Sequence, residues 1–460
     1  MFLLVQVICL TPTDANPPIQ LSFPPLQFVP PKAERVVLDN GMVVFLLEDD
    51  ELPLIEISAV IQTGSAFDPP GKIGLASVGA QVMRRGGTES RTPESINQTL
   101  EQLAASVETT MRPESGVAEM SSLKKNVSEV LPIFADVLMR PAFRDEYLRL
   151  VKQEMTEAIR RRDDNPDATA RREWYKLVYG ADHPYGWHIE SNTIEAITRA
   201  DLVAWHRNFY GPRNVRLAVA GDFKSDEMLE KLRNVFDGWE SSERKSFVIP
   251  SVTRVQGPSL HHIHRSINQT RIRLGHLGVQ RHNSDRWALI VMDQILGRGF
   301  TSRLVRSVRS RKGLAYSVYS FFTEPAEIGV FGMGCQTRAD GTVEALTTIL
   351  DEVQALRETQ VTDDELAVAK DGIVNRFVFR FTGPLQIAQQ QMMLEYEGYP
   401  TDYLETYVGN IRSVTKDDVL RVASKYLRPD AMTILVVGDD TQFDRSLRSL
   451  GEVHSLKMRP

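Results

Sequence analysis

Arg309 and Tyr316 stand seven residues apart in the run VRSRKGLAY. A guanidinium and a phenol both donate hydrogen bonds, so together they could hold a peptide carbonyl and the oxyanion that develops on it during attack. The plainer reading is a solvated charge at a helix end followed by an ordinary strand tyrosine. A second group is His261, His262 and His264 in HHIH. In a strand His262 and His264 share a face, a two-ligand arrangement for a metal ion. No cysteine or carboxylate motif stands beside them in the chain, so a surface or hydrogen-bonded role is expected. His183, in HPYG, reads as part of a turn. Glu154 lies three residues after Val151 and four before Ala158, on or beside an apolar helical stripe, where an acidic side chain needs an ion pair or a hydrogen bond. Cys9 and Cys335 are the only cysteines, too few for a disulfide framework or a Cys-rich zinc site.

Particular elements must carry these groups. Gly313 separates Arg309 from Tyr316, which puts Arg309 at the end of a helix and Tyr316 at the start of the alternating strand YSVYSFF. Glu154 falls in a long helix over 145–162 with Leu148, Val151, Met155 and Ile159 on one stripe. Residues 74–84 place Leu75, Val78 and Val82 at the i, i+3, i+7 spacing of a helix face, ended by Gly86-Gly87. Residues 34–47 (ERVVLDNGMVVFLL) read as a hairpin turning at Asp39-Asn40-Gly41, with the next strand over 55–62.

The chain also repeats itself. Residues 197–222 (ITRADLVAWHRNFYGPRNVRLAVAGD) and 414–439 (VTKDDVLRVASKYLRPDAMTILVVGD) align at an offset of 217, matching Thr198 with Thr415, Asp201 with Asp418, Pro212 with Pro429 and Gly221 with Gly438. In each copy a capping threonine opens an amphipathic helix, a proline stops it and an apolar strand ends at Gly-Asp. Residues 145–152 match 363–370 more weakly, at an offset of 218. The spacing predicts two homologous α+β domains over 34–240 and 258–446, a linker over 241–257, a signal-like segment and Pro-rich arm over 1–33, and a tail over 447–460.

A length of 460 residues exceeds one ordinary core, and 42% hydrophobic with 25% charged residues excludes wholesale disorder and polytopic membrane architecture. The net charge of −6 argues against nucleic acid as the main partner. No apolar run reaches the roughly 18 residues of a membrane helix. The segment FLLVQVICL at 2–10 is apolar but short and unpreceded by Lys or Arg, an imperfect secretory signal. As a signal it implies a periplasmic or secreted protein; otherwise the protein is cytoplasmic.

With its segments in place, the chain resembles the insulinase/pitrilysin family of zinc peptidases, especially its small bacterial members and the subunits of mitochondrial processing peptidase. The matching stretches are LDNGMVVFLLEDDELPLIEISAVIQTGSAFDPPGKIGLA, RRGGT at 84–88, DNP at 164–166, HPYG at 183–186, FYGPRNVRLAVAGDF at 209–223 and LGRGFTSRLVRSVRSRKGLAYSV at 296–318. The resemblance implies two homologous α+β domains, each a mainly antiparallel sheet flanked by helices, the processing-peptidase/LuxS-like metallohydrolase fold. Two such two-domain units would close around a chamber that takes in peptides.

The family's chemistry rests on His-x-x-Glu-His in one helix, where residues four apart share a face, so two histidines reach one zinc ion and the glutamate activates the bound water. Aligned from GLA, this chain has Ser77, Ala80 and Gln81 at those positions; aligned from GGT it has Val78, Gln81 and Val82. An amide is no general base and aliphatic side chains bind no metal. Glu154 in LVKQEM matches the family's third zinc ligand and reads as a relic. Arg309 and Tyr316 match an Arg–Tyr pair that the resemblance places against the substrate near the scissile carbonyl, and Gly297-Arg298-Gly299 resembles the family's Gly-rich loop. The resemblance thus implies a non-catalytic subunit without metal of its own, inactive alone, in a heterodimer with a zinc-bearing paralogue that cleaves peptides. The alternative is a self-associating, homodimeric scaffold or peptide-binding protein, comparable to the processing-peptidase-like core subunits of respiratory complexes.

Overall fold

The structure, a computed structural model, describes residues 30–240, 248–252 and 257–458. The signal-like segment at 2–10, most of the Pro-rich arm and the middle of the expected linker lie outside the described residues.

Alternating and β-branched runs form two six-stranded sheets. The first holds β1 (Glu34–Val37), β2 (Val43–Glu48), β3 (Leu54–Ile61), β4 (Ser106–Met111), β5 (Gly116–Leu123) and β6 (Val215–Gly221), in the order β1-β2-β6-β3-β5-β4. The second holds β7 (Ser259–His264), β8 (Gln269–Leu277), β9 (Ala315–Phe322), β10 (Val330–Arg338), β11 (Thr433–Gly438) and β12 (Val453–Ser455), in the order β12-β7-β11-β8-β10-β9. Five strands correspond one to one, and in both sheets the strand ending the repeat runs parallel to its neighbour, β6 beside β2 and β11 beside β7. The remaining pairings of those five strands are antiparallel, so the sheets are mixed. The sixth place is filled differently. In the first sheet β1 pairs antiparallel with β2 through the Asp39–Gly41 turn, whereas in the second β12 pairs parallel with β7. Residues 453–455, expected in a tail, are therefore the edge of the second sheet, and that domain extends past 446.

Helices cover the sheets. Those used below are α1 (Leu75–Arg85), α2 (Asp145–Arg160), α3 (Pro166–Tyr179), α4 (Arg199–Phe209), α5 (Asp363–Val378), α6 (Pro384–Tyr396) and α7 (Lys416–Tyr426). The repeat's caps form as its residue types require. Thr198 accepts from Asp201 N and Asp201 reaches back to Thr198 N at the start of α4; Thr415 and Asp418 do the same for α7. On one face of each sheet these and neighbouring helices close a separate apolar core.

The opposite faces are covered by exchange. Helix α3 of the first half lies on β8 and β11 of the second, burying Ala170, Trp174 and Val178 against Ile263, Val330, Leu435 and Val437. The Trp174 indole donates to the Thr433 carbonyl at 2.9 Å. Helix α6 of the second half lies on β2 and β6 of the first, burying Ala388 and Met392 against Phe45, Val60 and Ala218. Pro166 and Pro384, which open these two helices, stand at the same offset of 218 as the weaker repeat. Each half thus completes the other, and the chain's beginning follows suit, with Ala33 N and the Pro31 carbonyl both bonded to the Gln391 side chain of α6.

Candidate functional site

Helix α1 carries the degenerate motif, and its burial separates the two registers. Val78 and Val82 are wholly buried in the first core, as an i, i+4 apolar pair must be, whereas Ser77 and Gln81 are half-buried and face out of it. The GLA register, Ser77–Ala80–Gln81, is the one on the outward side. Ala80 is buried, and its carbonyl accepts from the Thr109 hydroxyl at 2.6 Å. Gln81 Nε2 stands 3.7 Å from Met155 Sδ on α2, beside Glu154. One turn beyond Gln81, Arg85 grips Glu154 in a bidentate pair at 2.6 and 2.8 Å, and the guanidinium holds that carboxyl below the usual carboxylate range. Glu154 therefore has the ion-pair partner its place required. No local pattern signals Arg85, whose role follows from the packing of α1 on α2.

A zinc ion does not fit this donor set. A hydroxyl, a methyl and an amide occupy the motif positions, and the Arg85 guanidinium already neutralises the negative charge that Glu154 would offer a metal. No step through zinc is derived for this chain.

Arg309 and Tyr316 belong to the second half and make no hydrogen bond or ion pair with the α1–α2 group among the described residues. The helical segment Val305–Arg311 is wound with π-type bonds, such as Lys312 N to the Ser307 carbonyl, and ends at Gly313, whose φ of +62° is the left-handed conformation glycine adopts most readily. The chain turns directly into β9, an edge strand bonded only to β10. This sharp reversal brings the Arg309 guanidinium to 5.7 Å from the Tyr316 ring centre. Both side chains are exposed, Tyr316 at 76%. Behind them the segment is fixed by Arg303 and Arg306, which both pair with Glu365 of α5. In the expected Gly-rich loop, a side chain at Gly297 would collide with Ser320 of β9, at 2.4 Å from its amide, so this glycine serves close packing. Below it Asp293 is fully buried and accepts from the Ser320 hydroxyl; burial pushes its carboxyl up to about 6.

The histidine run lies on β7, as expected. His262 is buried with Nε2 3.1 Å from the Gly438 carbonyl, and His264 Nδ1 is 2.8 Å from an Asp440 oxygen. The absence of a carboxylate beside the run holds only along the chain, because the end of β11 brings Asp439 and Asp440 to His264, Asp440 from 176 residues away. Asp439 already accepts from Thr441 and Gln442. His183 caps the turn at Pro184–Gly186, accepting from Tyr185 N.

Two family models match in chain order: Insulinase (Peptidase family M16) over residues 44–183, and the Peptidase M16 inactive domain over 196–373. The chain belongs to the insulinase family, peptidase family M16. An uncharacterized zinc protease of Rickettsia bellii is 24% identical over 410 residues, covering 87% of this chain and 96% of its own length. A crystal structure described as the peptidase M16 inactive domain from Pseudomonas fluorescens is 27% identical, with a TM-score of 0.81 over 89% of this chain and 98% of that one. A protease from Helicobacter pylori, 19% identical, shares the fold at a TM-score of 0.79, covering 89% of this chain and all of its own. The two-domain insulinase fold is thus present in full, and no helix among the described residues is long and apolar enough to cross a membrane.

Proposed function

We propose that this insulinase-family chain is the non-catalytic subunit of a heterodimeric zinc peptidase, in which a zinc-bearing paralogue supplies the metal and this chain supplies Arg309 and Tyr316. The observation that carries the reading is the contrast between its two candidate sites. Helix α1 has turned its motif over to packing and to the Arg85–Glu154 pair, while Arg309 at a helix end and Tyr316 on the edge strand that follows stand together, exposed. In that role both would donate to the carbonyl oxygen of a bound peptide, and their hydrogen bonds would strengthen as charge gathers on it in the transition state. Contact with the Tyr316 ring and the anchored helix end restrict Arg309 before substrate arrives.

The test mixes the chain with a zinc-bearing paralogue from the same source and follows cleavage of a quenched peptide. The complex should exceed either chain alone, and Arg309→Ala with Tyr316→Phe should lower its kcat by about 10²-fold or more. Equal rates with the double variant overturn the Arg–Tyr role. A stable homodimer that gives no activity with any paralogue replaces the reading with that of a scaffold. In protein purified alone, no zinc is expected at Ser77, Ala80, Gln81 and Glu154.

A further inference from the structure

The molecule has nine histidines, and seven of them hydrogen-bond. The two without such a bond among the described residues, His261 and His454, face each other. They occupy directly opposed positions in the parallel pair β7 and β12, and opposed residues on adjacent strands point to the same side of a sheet. Their ring centres are 5.3 Å apart with planes inclined at 36°. His261 Nδ1 is buried without a partner, as is the Ser259 hydroxyl two residues earlier on the same face. An unpaired buried ring nitrogen is unfavourable, so its retention calls for a ligand.

We propose that His261 and His454 form a binding site for a late first-row divalent metal ion, Zn²⁺, Ni²⁺ or Cu²⁺, which joins the last strand of the chain to β7. Imidazole suits these ions better than harder cations. The distance fits as well. A zinc ion lies roughly 2.0–2.1 Å from each ligating nitrogen, and so roughly 3.2 Å from each ring centre. With the centres 5.3 Å apart, an ion so placed subtends about 110° between the two rings, close to the tetrahedral angle. Water completes the shell, because both rings open on a cavity of about 640 Å³ also lined by Glu173, Lys176 and Lys457. Burial and the neighbouring His454 ring lower the proton affinity of His261, which keeps it in the neutral, metal-binding form. β12 is three residues long and pairs only with β7, so such an ion would fix a strand that little else holds.

The experiment titrates Zn²⁺ and Ni²⁺ into the full chain by calorimetry, with amide exchange followed at Val453–Ser455. One ion per chain is expected, with protection of those amides on binding and affinity weakened about tenfold or more by either His261→Ala or His454→Ala. His264→Ala, which alters the other face of β7, should leave affinity unchanged and serves as the control. Far-ultraviolet circular dichroism of the metal-free variants confirms that they fold. Affinity lost in His264→Ala and kept in the other two assigns the ion to His264, Asp439 and Asp440 and overturns the proposal. Affinity equal in all three marks adventitious surface binding and also overturns it.

Discussion

At the scale of single residues, the decisive substitution is the one that closes the zinc position. Arg85 neutralises Glu154 with two short hydrogen bonds, so putting ligands back into α1 is not enough. In a His261→Ala background, which removes the other proposed metal site, the variant Ser77→His, Ala80→Glu, Gln81→His should retain little zinc after dialysis. Adding Arg85→Met, which frees Glu154, should raise retention toward one ion per chain, as metal analysis will read. Equal retention with and without Arg85 would show that the guanidinium does not compete for that carboxylate. The types at 77, 80 and 81 were legible in the sequence as a lost motif, but the register was not. Both alignments are consistent with helical spacing, and only the burial of Val78 and Val82 separates them, because burial depends on what packs against α1. Glu154 was legible as a residue needing a partner; Arg85 was not, since an ion pair between two helices has no fixed sequence separation.

At the scale of elements, the repeat fixes two equivalent caps. Thr198→Ala and Thr415→Ala should each cost about 1 kcal/mol, and the double variant should cost their sum, since the sites share no partner. Urea unfolding will measure both. The exchanged helices are the larger effect. Trp174 is fully buried between the halves, so Trp174→Ala should cost about 3–5 kcal/mol, through lost burial and the cavity left behind. It also weakens what couples the halves, so unfolding followed by tryptophan fluorescence and by circular dichroism should cease to coincide. Coincident curves would mean that α6 alone is sufficient to couple them. In the structure Pro166 and Pro384 open α3 and α6; local patterning does not reveal whose sheet they cover, because an apolar face is complementary to any apolar face.

At the scale of the whole molecule, acid stability follows from a buried histidine. His276 is sunk in β8, with Nε2 accepting from Arg428 N and Nδ1 near the Leu277 carbonyl, and burial lowers its pKa from 6.5 to about 4. Between those values the unfolded chain binds a proton that the folded chain refuses, so stability falls as pH falls through that window. The loss from this group between pH 7 and pH 5 should be about 2 kcal/mol. His276→Asn should be less stable than the parent at pH 7 yet change less between the two pH values, as urea midpoints at each will show.

The amino-acid sequence suffices for the two-domain α+β architecture, the capped helix-turn-strand repeat, the loss of the zinc-motif residues and the placement of Arg309 and Tyr316 on either side of a Gly turn. All of these are set by residues near one another in the chain, where spacing and backbone preference act directly. The tertiary structure alone decided the exchange of α3 and α6, the addition of β12 to the second sheet, the closure of Glu154 by Arg85 and the meeting of His261 with His454. Each of those joins residues tens to hundreds of positions apart, and such contacts are selected by the fit of whole surfaces, which no local pattern encodes.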